Sequence, residues 1–126
     1  MTPFFSRREA RLIEAKDVCR LSTISSNGWP HSVPVGYVYH RGKFYVPSSK
    51  DAKKVVNLAR NAKATLVIDD ELKEHGVMIE CTARVLRGLA AERLIEHMRN
   101  VKGWKNDNST VVIELSPIRK ASWFLK

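Results

Sequence analysis

Residues 18–46 read VCRLSTISSNGWPHSVPVGYVYHRGKFYV, and this stretch decides the fold because it contains two hairpin signals in succession. The Asn-Gly dipeptide at positions 27 and 28 predicts a tight turn after a strand at residues 18–24. Apolar residues then alternate with period two over residues 31–39, which predicts a second strand, and a turn at residues 40–43 leads into a third. Two hairpins in a row predict an antiparallel meander.

The rest of the chain adds three helical patterns and further strands. Apolar residues at helical spacing predict helices at residues 5–16, 51–61 and 89–100, the first with Ser6 and the second with Asp51 as N-cap. Strand patterns occupy residues 64–68, which read as buried on both sides, then 77–85, 110–115 and, after Pro117, 120–125. Because tight turns join most neighbouring strands, a doubly wound parallel sheet is excluded. We expect one domain, residues 1–126, with a β-rich α+β barrel of about six strands.

Composition and charge limit the classes of function. The net charge is +9, from 22 Lys and Arg against 13 Asp and Glu, which favours an anionic partner: a nucleic acid, a lipid surface or a phosphorylated small molecule. Cys19 and Cys81 lie in apolar runs and lack metal-ligand spacing. This pattern is typical of reduced cysteines in a cytoplasmic protein. The histidines also lack such spacing, so no metal site is expected. No apolar run resembles a signal peptide or a membrane helix, and we expect a cytoplasmic protein without a membrane partner.

Residues 46–54, VPSSKDAKK, carry the strongest chemical signal. A strand ends, two hydroxyl residues follow, and a helix opens with Lys53 and Lys54 in its first turn. The N-terminus of a helix attracts anions, and cations placed there destabilise an isolated helix. The pattern therefore predicts a phosphate site formed by Lys53 and Lys54, with Ser48 or Ser49 as hydrogen-bond donors. A solvated basic helix face explains the same spacing and remains an alternative.

Several motifs in order resemble the pyridoxamine 5′-phosphate oxidase-like, FMN-binding split-barrel family. They run from about Cys19 to Val85, more than half of the chain. The matching stretches are GWPHSVPV at residues 28–35, GKFY at 42–45, KKVVNLARN at 53–61 and GVMIECTARV at 76–85. The resemblance implies a mainly β (α+β) fold, a six-stranded antiparallel split β-barrel with about three flanking helices, that forms a homodimer.

The resemblance also implies a cofactor and the residues that hold it. Flavin mononucleotide would lie at the subunit interface, with the phosphate held by Lys53 and Lys54 and the phosphate or ribityl chain bonded by Ser48. The strand beside the isoalloxazine ring would contribute Ser32, Val33, Pro34 and Val35. Trp123 resembles an aromatic residue near the end of such chains; it would stack on the flavin, or fill the core or dimer interface. A deazaflavin brings a phosphate to a similar anchor and is the alternative cofactor.

The departures from the family pattern bear on the substrate. His31 and Gly36 stand where the oxidases carry basic residues, Ala52 replaces a serine, and the arginine-containing C-terminal segment that binds the vitamin is missing. Oxidation of pyridoxamine phosphate is therefore not expected, and the leading hypothesis is a flavin-dependent oxidoreductase acting on another small molecule. The flavin carries the chemistry, so no catalytic side chain is named. The alternatives are a flavin storage protein without turnover and a basic nucleic-acid-binding barrel that stacks bases on Tyr37, Tyr39, Phe44 and Tyr45.

Overall fold

The computed structural model describes residues 3–105 and 108–125, and in these residues the chain forms three helices and seven strands. The helices are α1 (Arg7–Ala15), α2 (Lys53–Arg60) and α3 (Gly88–Lys102). The strands are β1 (Val18–Ile24), β2 (Pro30–Gly36), β3 (Val38–His40), β4 (Lys43–Ser48), β5 (Lys63–Asp70), β6 (His75–Leu86) and β7 (Val111–Phe124). The count is seven rather than six because the strand expected at residues 31–39 breaks at Tyr37.

The strands form one antiparallel sheet in the order β2-β1-β5-β6-β7-β4-β3. β2 and β3 lie at its two edges, yet only Tyr37 separates them in sequence. The sheet must therefore curl until its edges meet. Where β2 approaches β4, no ladder joins them in the described part of the chain, so the barrel is split at that point. The expected mainly β split barrel with three helices is confirmed.

The core fills the barrel because each strand turns alternate side chains inward. β5 buries Ala64, Leu66 and Ile68, and the aromatic rings of Tyr37 and Phe44 lie in the same cluster. The other residues of β5, such as Thr65 and Val67, are only half-buried on the outer surface of a single chain. No helix of the described residues is long and apolar enough to cross a membrane.

Two helices close the two ends of the barrel. α1 contributes Leu12 and Ile13 to the core and lies at the Asp70 end of β5, where Lys16 pairs with Asp70 at 3.2 Å. α2 contributes Val55 and Leu58 and packs on β1 beside Thr23, which pairs with Ala64 at the other end of β5. α1 therefore closes one end of the barrel and α2 closes the other, and the candidate site lies at the α2 end.

The local predictions have mixed outcomes. The capping box of α1 is confirmed, because Ser6 and Glu9 exchange backbone-to-side-chain hydrogen bonds of 2.8 and 3.2 Å. Asp51 as N-cap of α2 is wrong: the N-cap is Ala52, and no side chain caps the helix. Pro117 does not end the last strand: the pairing of β6 with β7 shifts register between Glu80 and Cys81, where Ile118 of β7 is the extra residue, and this bulge accommodates the missing backbone donor of Pro117.

Candidate functional site

The candidate site lies at the start of α2, where the chain leaves the barrel wall. β4 ends at Ser48, the backbone turns, and the Ala52 N–H donates to the carbonyl of Ser49 at 3.3 Å before the helix begins. Val55 and Leu58 turn into the core. The spacing of these two residues fixes the rotation of the helix, so Lys53 is exposed and Lys54 is half-buried.

The start of α2 holds positive charge that no carboxylate of the described residues balances. Burial lowers the pKa of Lys54, since removing the ammonium from water penalises its charged form. Within residues 3–105 and 108–125, no carboxylate lies in ion-pair distance of Lys53 or Lys54. The helix also lacks a side-chain cap, and no acceptor among the described residues engages the N–H groups of Lys53 and Lys54, whereas those of Ala52 and Val55 donate to the Ser49 and Ala52 carbonyls. This arrangement fits an anion such as a phosphate.

A polar network anchors α2 to β1 beneath this charge. The Asn57 amide donates to the Thr23 hydroxyl at 3.0 Å, and the Arg60 guanidinium donates to the Ile24 carbonyl at 2.8 Å. Next to Thr23 in the sheet stands His31, whose Nδ1 is buried without a hydrogen-bond partner in the described residues. An unpartnered buried nitrogen costs free energy, so His31 is a candidate contact for a bound molecule. From the sequence alone, His31 is notable only because it stands where the oxidases carry a basic residue.

The two predicted serines of the phosphate site occupy different environments. Ser48 is 3% exposed, and its hydroxyl donates to the Ser49 carbonyl at 3.0 Å. Its proton is therefore engaged, and it would have to rotate to bond a phosphate. Ser49 is exposed beside the helix start. Of the two, Ser49 is the residue that a phosphate reaches without rearrangement.

The predicted ring-binding stretch forms an edge strand. β2 pairs with β1 alone in the described sheet, so its other edge keeps backbone groups that the ladder does not use. Val33 and Val35 lie opposite the core residues Leu21 and Cys19, whereas Ser32 and Pro34 are exposed. The Ser32 hydroxyl lies 2.7 Å from that of Ser22. The free edge borders the split beside β4, the strand that leads to α2.

Trp123 does not join the other predicted residues within one chain. It pairs with Gly76 at the far end of β6, and a Cβ added to Gly76 would come within 2.1 Å of the Trp123 ring. Gly76 thus leaves room for the indole, which is 37% exposed and lies outside the core. Six residues of strand, or roughly 20 Å, separate Gly76 from Thr82, near the end that α2 closes.

The outer surface of the sheet carries a shallow groove of about 300 Å³. It crosses β1, β5, β6 and β7, and its lining includes Ser22, Ile24, Thr65, Thr82 and Ile118. Ile118 is 46% exposed, and Val67 and Met78 on the same surface are half-buried apolar residues. A ligand in this groove would be bounded on one side only.

Two of the four aromatic residues proposed for base stacking are buried in the core. Tyr37 and Phe44 are 1% and 0% exposed, because both rings pack in the barrel core, and the Tyr37 hydroxyl donates to the Ile13 carbonyl. Tyr39 also packs against Phe44. Tyr45 is half-buried, as is Tyr39, so the predicted stacking surface loses two of its four rings. No group of three or more His, Cys, Asp or Glu side chains suited to a metal ion occurs among the described residues.

Comparison with known proteins shows one family and one fold. The model of the family described as pyridoxamine 5′-phosphate oxidase matches residues 6–124. No curated protein sequence matches the chain.

Solved structures share the fold at low identity. A heme storage protein from Vibrio cholerae is 15% identical with a TM-score of 0.71, and the match covers 91% of this chain and 90% of that one. General stress protein 26 from Bacillus anthracis is 19% identical with a TM-score of 0.73, covering 90% and 88%. An F420 reductase is 11% identical with a TM-score of 0.76, covering 96% and 98%.

Proposed function

The chain belongs to the pyridoxamine 5′-phosphate oxidase family, and on that premise we propose that it binds flavin mononucleotide and acts as an oxidoreductase on a small molecule. The observation that carries the proposal is the desolvated ammonium of Lys54 at an uncapped helix start, without a carboxylate in the described residues to balance it. A phosphate dianion supplies the missing charge and accepts from the free N–H groups.

In this proposal, different residues contact different parts of the cofactor. Lys53, Lys54 and Ser49 hold the phosphate, and the free edge of β2 over Ser32, Val33, Pro34 and Val35 lies along the ring. His31 supplies a ring nitrogen that gains a hydrogen-bond partner on binding. The bound flavin supplies hydride or electron transfer, while the protein fixes its position and excludes water.

We propose further that the functional unit is a homodimer. The outer surface of the sheet carries half-buried and exposed apolar residues, and the groove on it is shallow and open to solvent. A second copy on this surface would cover Val67 and Ile118 and enclose the groove. It would also bring a Trp123 from the partner toward the end of the barrel that α2 closes, from which the Trp123 of the same chain is separated by roughly 20 Å.

Flavin binding tests the phosphate site directly. The purified protein should be yellow or should bind added FMN with quenching of the flavin fluorescence. The double variant Lys53→Ala, Lys54→Ala should weaken FMN binding by about tenfold to a hundredfold, because it removes up to two charge-assisted hydrogen bonds.

The matched control removes two positive charges elsewhere. Arg87→Ala, Arg93→Ala changes exposed residues around the start of α3 and should leave FMN affinity within about twofold. Equal loss of affinity in both double variants would show that FMN affinity depends on the net charge of the protein and not on the proposed site. Unchanged affinity after Lys53→Ala, Lys54→Ala would refute it.

Sedimentation tests the dimer separately. Val67→Arg places a charge in the middle of the outer surface of the sheet and should yield a monomer that has lost most FMN affinity. Leu72→Arg, at a turn position that is 96% exposed, is the control and should remain a dimer with unchanged binding. A wild-type monomer at micromolar concentration would contradict the shared site, and a Val67→Arg monomer with full FMN affinity would confine the site to one chain.

A deazaflavin is the second candidate cofactor, because a protein with the same fold is an F420 reductase. The phosphate anchor does not distinguish the two cofactors, but their visible spectra do. Competition between FMN and the deazaflavin for the purified protein decides which is bound. Turnover with a reduced nicotinamide then separates an oxidoreductase from a storage protein, which should bind the cofactor without oxidising the nicotinamide.

A further inference from the structure

A second basic groove lies at the end of the barrel that α1 closes. It has a volume of about 250 Å³ and runs between α1, the turn after β5 and the end of β7. Arg8 and Arg11 form one wall and Lys73 contributes to the other, while Leu12, Ala15 and Phe124 supply apolar surface. Neither the sequence pattern nor the family resemblance pointed to this groove.

The cations of this groove are unbalanced. Within residues 3–105 and 108–125, no carboxylate forms an ion pair with Arg8, Arg11 or Lys73. The one acidic lining residue is Asp70, and its carboxylate is engaged by Lys16 at 3.2 Å and by the Lys73 backbone N–H at 3.3 Å. Three lining cations against one anion leave the walls with a formal charge of about +2.

The side chains are also oriented for an anion. The Arg8 guanidinium lies over the Phe124 ring, 4.2 Å from its centroid, and the His75 ring packs against the same phenyl group at 4.9 Å. No acceptor among the described residues engages the Arg8 guanidinium, so its N–H groups can donate to a ligand. Arg11 follows three positions later, so both side chains project from one side of the helix. Arg8 stands in the first turn of α1, where an anion also compensates the unfavourable placement of a cation.

We propose that this groove binds a small organic dianion, a phosphate monoester. The charge of a phosphate monoester matches that of the walls, and two guanidinium groups can each donate to its oxygens. The organic part rests against Leu12, Ala15 and Phe124. The groove spans only about two turns of α1, which fits a small molecule rather than the backbone of a nucleic acid.

Within one chain, this site is separate from the proposed flavin site. The groove lies at the His75 end of β6, whereas α2 packs near the other end of the sheet, beside Thr23 and Ala64. His75 and Thr82 are seven residues apart on β6, which corresponds to roughly 23 Å. The inference therefore stands whether or not α2 binds a flavin.

Amide-resolved NMR titration of the full chain with phenyl phosphate at physiological salt tests the proposal. The expected shifts centre on Leu12, Lys73 and Phe124. Arg8→Gln, Arg11→Gln should weaken the affinity by about tenfold or more, since two charge-assisted contacts are lost. The charge-matched control Arg87→Gln, Arg93→Gln should leave it within about twofold. Lys53→Gln, Lys54→Gln should also leave these shifts unchanged, because it alters only the other site.

Three outcomes would overturn the proposal. One is the absence of shifts in the groove at millimolar phenyl phosphate, and another is equal weakening by the groove variant and its charge-matched control. The third is a single-stranded oligonucleotide that shifts the same amides when phenyl phosphate does not, since that result would assign the groove to a nucleic acid.

Discussion

The helices that close the two ends of the barrel differ in how their polar groups are satisfied. α1 has a complete capping box, its buried Glu9 is paired with Lys120, and the Ile13 carbonyl accepts from the Tyr37 hydroxyl at 2.5 Å. α2 has no side-chain cap and a half-buried Lys54, and it packs on β1 beside His31 of β2, whose Nδ1 is buried without a partner in the described residues.

This difference between the two helices distinguishes groups that stabilise the fold from groups that could contact a ligand. A buried group whose partner is present in the chain contributes to the stability of the folded protein. A desolvated group whose partner is absent lowers that stability, and the loss is recovered when a ligand supplies the partner. On this criterion the inner face of α1 is structural, and the start of α2 is the candidate ligand site. Four predictions test this contrast, from the largest effect to the smallest.

Glu9→Ala should lower the free energy of unfolding by about 2–3 kcal/mol, because it removes the ion pair with Lys120 and half of the capping box. Urea unfolding measures the change. Glu14→Ala, on the exposed side of the same helix, is the control and should stay within about 0.5 kcal/mol of wild type. Equal effects of the two variants would remove the structural role assigned to the α1 end.

The same carboxylate should make stability depend on acid. Burial alone would raise the pKa of Glu9, but hydrogen bonds from Lys120, Ser122 and the Ser6 N–H outweigh it and lower the pKa from 4.5 to about 2. The folded pKa lies below the unfolded one, so the stabilisation is present above about pH 4.5 and is lost as the pH falls toward 2.

Urea titrations of wild type and Glu9→Gln measure this dependence. The stability difference between them should shrink by about 2 kcal/mol between about pH 6 and pH 3. A difference that stays constant over this range would show that Glu9 titrates as an ordinary carboxyl group.

The two N-caps should respond to opposite substitutions. Ser6→Ala removes a cap from α1 and should destabilise the protein by about 1 kcal/mol, whereas Ala52→Ser supplies one to α2 and should stabilise the cofactor-free protein by a similar amount. Thermal unfolding of both variants provides the measurement. If Ala52→Ser leaves stability unchanged, the start of α2 is already satisfied and the contrast between the helices is weaker than described.

Lys54→Met should raise the stability of the cofactor-free protein by about 0.5 kcal/mol, because it removes a desolvated cation from a helix N-terminus. Lys63→Met, on an exposed residue, is the control and should have no effect. With saturating FMN the sign should reverse, since the variant lacks the phosphate contact. Destabilisation of the cofactor-free protein by Lys54→Met would argue that this ammonium has a structural partner.

Local sequence signals predicted the parts of the molecule that depend on near neighbours. The capping box at Ser6 and Glu9 is readable because its two residues are three positions apart on one turn. The basic start of α2 is readable for the same reason. The wrong assignment of Asp51 as N-cap shows the limit, since the turn after Ser48 sets where the helix begins and shifts it by one residue.

Contacts between distant residues were beyond those signals. Tyr37 reads as one more position of a regular strand, but the closure of the barrel makes it the break between β2 and β3 and buries its ring against Phe44. The pairing of Trp123 with Gly76 joins residues 47 positions apart, and it places the indole far from the phosphate site of the same chain. His31 became a candidate only when the burial of its Nδ1 was known.

Four features were predictable from the sequence: the alternation of the strands, the tight turns, the helical faces and the two lysines at a helix start. Each depends on residues within a few positions of one another. The tertiary structure alone decided which charges lack a partner. Desolvation and ion pairing depend on the distance between atoms in space, and the curled sheet brings Glu9 to Lys120 while it brings no described carboxylate to Lys54, Arg8 or Arg11.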